Sequence, residues 1–351
     1  MPDAAPFFVT TSSMKIAVFS AQPYDQRFLD EALAQSALAN TAQWAYFAVG
    51  LSPDTAPLAR GCDAVCVFVN DQLNAITLEA LHGLGVRAVV LRCAGFNQLD
   101  SAAAQRLKLF VARVPAYSPE AVAEHTLALV MTLNRHIHRA YNRVREGNFA
   151  LDGLMGRNLH GKTVGLVGVG SIGVAAARIF NGLGCTVLGA DPSPSPAFET
   201  LGETVPLNAL LERADIVSLH CPLTADTRHL IDAAALARMQ PGAMLVNTAR
   251  GALVDTAAVV QALQSRQLGS LALDVYEEES ALFFHDHSGE IIDDELFQRL
   301  TTFPNVLITG HQGFFTQEAL HEIAAITVHN LQCFANGIPC ANILPAAAGP
   351  T

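Results

Sequence analysis

The chain has 351 residues, of which 51% are apolar and 15% charged, so it has ample side chain to build a buried core. This composition excludes a disordered or low-complexity chain. The 21 basic and 32 acidic residues give a formal net charge of −11, which repels phosphate backbones and argues against a nucleic acid partner. The sequence has no run of about 18 apolar residues, so we expect no membrane span.

The cysteines and the amino terminus indicate the compartment. The seven cysteines are an odd number and no two are spaced C-x-x-C, so neither a disulfide framework nor a zinc site is expected. We therefore predict no metal and a reducing, cytoplasmic location. Residues 1–13 lack the charged segment and apolar run of a signal peptide, and we interpret them as a short leader before the first strand.

Short β-rich runs alternate with amphipathic stretches in the first third of the chain, a pattern typical of a parallel α/β protein. The β-rich runs predict strands at 15–20, 63–69 and 86–91. A helix then starts after Ser118, which can cap it, with Pro119 suited to its first position. Because apolar residues recur at helical spacing without an intervening glycine, the pattern predicts one long helix over 119–146.

Residues from 162 onward predict a complete nucleotide-binding sheet. Six candidate strands lie at 163–168, 185–190, 214–219, 243–247, 268–273 and 305–309. Six parallel strands joined by crossovers form a doubly wound dinucleotide fold. The segment after Phe315 predicts a closing helix. Because this region starts after residue 155 and leaves only a short tail, we infer that it is inserted into a smaller domain built from both ends of the chain.

The most specific motif is Gly168-x-Gly170-x-x-Gly173, which lies between an apolar strand and a helix-forming run. In that context the glycines permit a tight turn and a close approach of the backbone to a ligand. The pyrophosphate of a dinucleotide can then lie on the N-terminus of the helix that Ser171 and Ile172 open. The motif therefore predicts a dinucleotide site.

Asp191 ends the next strand, 18 residues after Gly173, where a carboxylate can accept hydrogen bonds from the adenosine ribose. This carboxylate would repel a 2′-phosphate, and the three residues that follow it, P-S-P, offer no arginine. The sequence therefore predicts NAD rather than NADP. A formal Walker A match at 156–163 precedes a strand instead of following one, so an NTPase is not expected.

Ligands of an open doubly wound sheet bind beyond the carboxyl ends of its strands, so the residues that follow each strand are candidates. These residues are His220, Cys221 and Pro222, then Thr248, Ala249 and Arg250, then Asp274 and the glutamates 277–279, and finally His311. An arginine, a carboxylate cluster and a histidine suit hydride transfer to a keto acid. A guanidinium binds an anionic substrate and polarises its carbonyl, and a histidine beside a carboxylate can donate a proton to the carbonyl oxygen.

On these residues the chain resembles the D-2-hydroxyacid dehydrogenases, and within that family the fermentative D-lactate branch. The resemblance covers 15–344 and is carried by the segments LRCAGFNQLD, VPAYSPEAVAEH, GLVGVGSIG, SLHCPLT, VNTARGALVD, LDVYEEE and TGHQGFF. It implies two doubly wound α/β domains, Rossmann-like or flavodoxin-like, with the central NAD domain inserted into a split catalytic domain. We expect the catalytic (substrate) domain at 14–116 and 313–345 and the NAD-binding domain at 117–312.

The resemblance also implies catalytic roles. Arg250 matches the arginine that holds the carboxylate and carbonyl of the keto acid, and His311 matches the acid–base histidine. Glu279 matches the carboxylate partner of that histidine, because the family places it five residues after the aspartate of D-V-Y. The adjacent Glu277 and Glu278 leave open whether a neighbour could replace Glu279 in a mutant.

The same resemblance implies binding roles. Asp274 and Thr248 match positions around the nicotinamide, and His220 matches a position that lines the cofactor. The full set expected to bind the cofactor is Gly168, Gly170, Ser171, Ile172, Gly173, Asp191, His220, Cys221, Pro222, Thr248, Ala249 and Asp274. The set expected to bind the substrate is the loop Cys93, Ala94 and Gly95, whose amides would bind the carboxylate, with Phe68, Tyr117 and Phe314 closing the pocket.

The stretch after Glu279 favours the lactate branch. Related dehydrogenases that act on glycerate show a short Glu-Pro loop there, whereas this chain continues through Ser280 into a longer insertion. The resemblance thus implies NADH-dependent reduction of pyruvate to D-lactate in a homodimer or homotetramer, with domain closure excluding water. Two alternatives stay open. One is a dehydrogenase for a bulkier 2-keto acid, since one methylene changes discrimination by only about 1–3 kcal/mol. The other is an NAD-sensing protein like the co-repressors that share the fold.

Overall fold

The computed structural model describes residues 13–279 and 282–344. The chain divides into two compact units, one formed by Met1–Ser118 with Thr316–Thr351 and the other by Pro119–Phe315. Most of the expected leader, the insertion's first residue Ser280, and residue 345 lie outside the described residues. In the part of the chain that is described, none of the helices has the length and hydropathy needed to cross a membrane.

The strands of the described residues form two sheets in which every pair is parallel. In chain order they are β1 (Met14–Val18), β2 (Ala42–Tyr46), β3 (Ala64–Val67), β4 (Ala88–Leu91), β5 (Phe110–Arg113), β6 (Thr163–Val167), β7 (Thr186–Ala190), β8 (Glu203–Thr204), β9 (Ile216–Leu219), β10 (Ala243–Asn247), β11 (Leu268–Leu273) and β12 (Val306–Ile308). The five-stranded sheet has the order β2-β1-β3-β4-β5, and the seven-stranded sheet has the order β12-β11-β10-β9-β6-β7-β8.

Helices connect these strands, as parallel pairing requires. In chain order they are α1 (Pro23–Ala34), α2 (Ala75–Gly83), α3 (Ser101–Arg106), α4 (Pro119–Asn134), α5 (Ile137–Arg145), α6 (Ser171–Gly182), α7 (Leu207–Arg213), α8 (Ala233–Arg238), α9 (Thr256–Gln264), α10 (Glu295–Thr301) and α11 (Gln317–Asn336). Several start at a side-chain cap, because Asn, Asp or Thr accepts a backbone N–H of the first turn.

The first unit has the flavodoxin-like strand order 2-1-3-4-5. The central strands β3 and β4 are buried at every residue, as expected of a parallel sheet covered on both faces. The three strands predicted in this part of the chain are confirmed, but β2 and β5 were not predicted. Both are edge strands, and their partly exposed residues weaken the apolar run that marks a buried strand. The helix predicted after Phe315 is confirmed as α11.

The second unit has a doubly wound sheet in the order 3-2-1-4-5-6 with one further strand. All six predicted strands are present, but the expected count of six is wrong. The exposed two-residue strand β8 occupies the third position, and a segment this short carries no apolar run to reveal it. Buried residues alternate between two cores, one on each face of the sheet: Val217 and Leu245 belong to one, Ile216 and Met244 to the other.

The single long helix predicted over 119–146 is wrong. It is two helices, α4 and α5, separated at Arg135 and His136. The break lies at His136, whose φ of 51° is left-handed and stops the helical hydrogen-bond ladder. A break made by a histidine leaves no glycine or proline signal in the sequence. The start of α4 at Pro119 agrees with the expected helix start.

Candidate active site

The glycine loop between β6 and α6 contains three glycines, of which the fold requires two and does not require the third. Gly168 has a left-handed φ of 92°, and a Cβ there would lie 2.6 Å from the backbone nitrogen of Cys221. A Cβ on Gly173 would lie 2.2 Å from the carbonyl oxygen of Gly168. Gly170, at the N-cap of α6, has open space where its Cβ would be. Its lack of a side chain therefore suits a ligand that approaches the backbone, as a pyrophosphate does.

Asp191 follows β7 and closes this loop from the neighbouring strand. Its Oδ2 atom accepts the Val169 N–H at 2.9 Å, and its Oδ1 atom accepts the Ser193 N–H at 2.8 Å. The two bonds fix the carboxylate beside the glycine turn. Each oxygen keeps a lone pair that can accept a ribose hydroxyl, so the geometry fits the role expected from the sequence.

His220 follows β9, and Cys221 and Pro222 come next. Its Nε2 atom pairs with the Ser218 hydroxyl at 3.0 Å, while its buried Nδ1 atom has no partner among the described residues. Burial lowers the pKa of His220 to about 4, so the ring is neutral at pH 7. Burial also raises the pKa of the Cys221 thiol to about 11. An unpaired imidazole nitrogen beside the glycine loop fits a bound dinucleotide.

Arg250 lies in a turn after β10 that a buried asparagine shapes. The Asn247 Oδ1 atom accepts the Ala249 N–H at 3.0 Å, and its Nδ2 group donates to the Arg250 carbonyl oxygen at 2.8 Å. The half-buried Arg250 guanidinium donates to the Ala249 carbonyl at 2.6 Å and forms no salt bridge with a described carboxylate. Asn247 was not predicted as functional, although an amide three residues before the arginine, in N-T-A-R, could have indicated it.

Thr248 is buried in the same turn, and its hydroxyl lies 3.0 Å from the hydroxyl of Thr126 on α4. The Thr126 hydroxyl donates to the Val122 carbonyl at 2.9 Å, so the proton between the two hydroxyls comes from Thr248. The side chain of Thr248 therefore anchors the arginine turn to α4.

The turn that carries Arg250 (the arginine turn, 247–251) and the turn that carries Glu279 (the glutamate turn, 276–279) touch through their backbones. A Cβ on Gly251 would lie 2.1 Å from the carbonyl carbon of Tyr276, so only glycine fits at this position. The contact holds the chain after Arg250 against the chain that leads to Glu279. Backbone packing thus sets how far the Arg250 turn lies from the Glu279 turn.

His311 and Glu279 form a direct pair. The His311 Nδ1 atom lies 3.0 Å from Glu279 Oε1, and the side chains are 13% and 19% exposed. The second oxygen of Glu279 accepts the Tyr276 N–H at 3.0 Å, which fixes the carboxylate. The Phe284 ring lies 5.7 Å from the imidazole and covers it with an apolar surface. The structure therefore brings together the histidine and the carboxylate that the family resemblance implied as partners.

The three consecutive glutamates have different surroundings. Glu277 accepts hydrogen bonds from Arg228 and Thr256, each at 3.2 Å, and also pairs with His229. Glu278 is exposed. Only Glu279 faces His311, and Glu277 is already engaged by three partners. The structure thus favours Glu279 over both neighbours.

Asp274 is buried and organises the loop that carries His311. Its carboxylate accepts from the Thr309 hydroxyl at 2.6 Å, from the backbone N–H groups of Gln312 and Gly313, and from His125 at 3.1 Å. Burial alone would raise its pKa, but the hydrogen bonds from His125 and Thr309 outweigh burial and lower the pKa to about 2. His125 was not predicted, although it ends the segment VPAYSPEAVAEH on which the resemblance rests.

The expected substrate residues of the first unit lie at the carboxyl ends of β3 and β4. Cys93, Ala94 and Gly95 follow β4, and the Cys93 thiol donates to the Gly95 carbonyl at 3.2 Å. Phe68 follows β3 and stacks 4.9 Å from the guanidinium of the buried Arg92.

The two remaining aromatic candidates lie in different units. Tyr117 is half-buried in the first unit, whereas Phe314 is buried in the second unit, near His311. They are assigned to different units because the chain divides between Ser118 and Pro119 and again between Phe315 and Thr316. Among the described residues, no group of His, Cys, Asp and Glu could hold a metal ion.

Known proteins share this architecture and sequence. The family model for the D-isomer specific 2-hydroxyacid dehydrogenase NAD binding domain matches residues 127–313. A D-lactate dehydrogenase, kk1H, of Curvularia clavata is 56% identical over 331 residues, which cover 94% of this chain and 95% of the relative. The apo-structure of D-lactate dehydrogenase from Escherichia coli superposes with a TM-score of 0.85 at 46% identity, covering 95% of this chain and 100% of that one.

The solved pyruvate reductase of Chlamydomonas reinhardtii superposes with a TM-score of 0.88 at 42% identity, covering 94% of this chain and 99% of that one. The match therefore extends over nearly the whole chain and includes both sheets. Together with the glycine loop, the fixed Asp191 and the unpaired His220 nitrogen, it identifies NAD as the cofactor. The chain belongs to the D-isomer specific 2-hydroxyacid dehydrogenases and is an NAD-dependent oxidoreductase.

Proposed function

We propose that the chain reduces pyruvate to D-lactate with NADH, reversibly, and that His311 is its acid–base catalyst. The observation that carries the proposal is the His311–Glu279 pair, which lies at the carboxyl edge of the NAD-binding sheet. Arg250 follows β10 at the same edge and has no carboxylate partner among the described residues. A guanidinium without a carboxylate partner, at the same sheet edge as a histidine–carboxylate pair, suits an anionic substrate with a carbonyl to be reduced.

Each residue then has a separate task. The Arg250 guanidinium binds the keto acid's carboxylate and polarises its carbonyl oxygen. The His311 Nδ1–H donates to Glu279, which fixes the ring and directs its Nε2 atom away from that carboxylate. Nε2 gives its proton to the carbonyl oxygen of the substrate in reduction and takes it back in oxidation. Bound NADH supplies the hydride.

Pyruvate is the first substrate proposed because of the relatives. The similar proteins are named D-lactate dehydrogenase and pyruvate reductase. The resemblance assigns the aromatic side chains Phe68, Tyr117 and Phe314 to substrate binding, and their bulk favours a small keto acid over a branched or aromatic one.

We further propose that Pro119–Phe315 is the cofactor domain and that the remaining unit binds substrate. The glycine loop, Asp191 and His220 all lie in the former, which supports the assignment. Cytoplasmic location is supported by the seven cysteines, none of which forms a disulfide bond.

We also propose that a second copy of this chain covers α5. This helix has no buried residue, and Ile137, Tyr141 and Val144 form an exposed apolar stripe along it. The segment that follows exposes Phe149, and Met155 is 91% exposed. Sedimentation velocity tests this interface, since Val144→Asp should dissociate the assembly, whereas a monomeric wild type would refute it.

The function is tested by NADH oxidation with pyruvate, phenylpyruvate and 2-ketoisocaproate, together with the chirality of the product. Fastest turnover of pyruvate to D-lactate is expected, and His311→Gln should slow it by about 10²–10⁴-fold. Preference for a larger keto acid would contradict pyruvate as the substrate but would leave the proposed acid–base mechanism in place. Tight NADH binding without turnover of any of the three would refute the reaction itself.

A further inference from the structure

One peptide group in the loop after β4 accepts a hydrogen bond from a charged side chain. Arg113, the last residue of β5, donates from its guanidinium to the carbonyl oxygen of Ala94. That carbonyl and the N–H of Gly95 belong to the same peptide group. A charged donor on a peptide oxygen draws electron density from the nitrogen, so the N–H becomes a stronger donor.

The amide hydrogens of this loop are available for a ligand. Within 13–279 and 282–344, the N–H groups of Ala94 and Gly95 donate to no acceptor of the chain, although both residues are half-buried. Partly buried donors without a partner raise the free energy of the fold, and a bound anion that accepts from them would recover that cost. The Gly95 carbonyl oxygen has its own partner, since it accepts the Cys93 thiol at 3.2 Å. Two adjacent N–H groups thus lie open at the carboxyl edge of the sheet.

Arg113 carries a charge that no described carboxylate neutralises. Its guanidinium also lies 5.1 Å from the ring centroid of Phe96, so it contacts the loop on both sides of Gly95. These contacts fix the loop and bring positive charge close to its two free amides. Both effects favour an anionic ligand over a neutral one.

The position of Arg113 is itself fixed by the end of the chain. The fully buried Asn330 of α11 donates to the Arg113 carbonyl oxygen at 3.0 Å, and the Arg113 N–H donates to the Asn342 carbonyl at 3.1 Å. Asn342 also donates to the Asn330 side-chain oxygen at 2.8 Å. Substituting the Arg113 side chain leaves these backbone bonds in place.

We propose that Arg113 is a positioning residue that sets the affinity for the substrate carboxylate by polarising the Ala94–Gly95 peptide. The proposal rests on the proposed function, in which this loop binds the carboxylate of a 2-keto acid. Arg113 acts through the loop and does not touch the reacting atoms. Its contribution is therefore to binding, not to hydride or proton transfer.

Steady-state kinetics of Arg113→Met with pyruvate tests the proposal. KM should rise about 5- to 20-fold, the range of a charge-assisted hydrogen bond felt through one peptide group, while kcat changes less than about twofold. The dissociation constant of NADH should stay the same. Binding of oxamate, an unreactive isostere of pyruvate, to the NADH complex should weaken by the same factor. Arg113→Lys, which keeps the charge, should recover much of the loss.

Arg87→Met is the matched control. Arg87 is also half-buried and also donates to backbone carbonyls, those of His82 and Val86, but it precedes β4 at the opposite end of the strand. It should leave KM unchanged. An unchanged KM in Arg113→Met, or an equal rise in Arg87→Met, would overturn the proposal. Failure of the wild type to reduce any keto acid would refute the proposed function, whatever the variants do.

Discussion

The backbone N–H of His311 donates to the backbone carbonyl oxygen of Asp274 at 2.7 Å. The next two residues of the chain, Gln312 and Gly313, donate their N–H groups to the carboxylate of the same aspartate. His311 has a left-handed φ of 53°, a conformation that an L-residue keeps only when its surroundings enforce it. Asp274 supplies that enforcement, and it does so as a buried anion.

Asp274→Asn should therefore destabilise the fold and slow turnover. The folded pKa of about 2 lies below the ordinary 3.8, so the ionised group stabilises the fold above about pH 4, by about 2 kcal/mol. That stability is lost as the pH falls from about 4 to 2. Urea unfolding of both proteins at pH 7 and pH 3 checks this, because the difference between them should shrink at low pH. Asp232→Asn, which keeps a side-chain oxygen that can cap α8, should show no such narrowing.

Glu279→Gln should lower kcat about 10- to 100-fold while leaving NADH affinity unchanged. The amide oxygen can still accept the Tyr276 N–H, so the loop is preserved, but the charge beside His311 is removed. Stopped-flow NADH oxidation measures the effect. The control is Glu278→Gln, which changes an exposed neighbour. Equal losses in the two variants would show that the acidic turn acts as a whole.

Arg250→Gln should raise the KM for pyruvate and lower kcat, because the guanidinium is proposed to bind substrate in both the ground and transition states. The turn itself should persist, since Asn247 holds it through backbone atoms. Arg238→Gln removes an exposed salt bridge with Glu212 and should change neither constant. Wild-type kinetics in Arg250→Gln would show that the substrate carboxylate binds elsewhere.

Gly170→Ala and Gly168→Ala should fail in different ways. A methyl group at 170 meets open space, so the melting temperature should change little, but the dissociation constant of NADH should rise at least about tenfold. A methyl group at 168 meets the Cys221 backbone and requires a left-handed φ, so that variant should unfold at lower temperature. Thermal scans with isothermal titration of NADH separate the two. Unchanged NADH affinity in Gly170→Ala would show that the pyrophosphate does not lie against the backbone of Gly170.

His220 should make the fold sensitive to mild acid. Its folded pKa of about 4 lies below the ordinary 6.5, so the unfolded chain takes up the proton first as the pH falls. Stability should decline between pH 6.5 and pH 4, by about 2 kcal/mol at pH 5. His220→Gln should flatten this part of the stability profile, whereas His160→Gln, at an exposed position, should not. Parallel profiles for wild type and His220→Gln would contradict the prediction.

The nucleotide-binding sheet was predictable because its apolar runs and glycine loop are local signals. The strand β8 and the left-handed break at His136 were not, because two exposed residues and a histidine give no pattern. The pairing of His311 with Glu279 was implied by the family resemblance. The contribution of His125 was not, because it depends on a hydrogen bond to Asp274, 149 residues further along the chain. Asn247 shapes its turn through local hydrogen bonds to Ala249 and Arg250, and its side chain was not assigned a role from the sequence. Arg113 is a similar case to His125, since its contact with Ala94 joins the end of β5 to the loop after β4.

The close backbone approach of Gly251 to Tyr276 has a dynamic consequence. Two loops without space for a methyl group between them cannot open independently, so the arginine turn and the glutamate turn form one cooperative unit. Amide hydrogens on both should exchange with deuterium at one common rate, set by a single opening event. The enzyme would thus lose or regain its anion-binding and proton-transfer groups together, and no partly assembled site would accumulate.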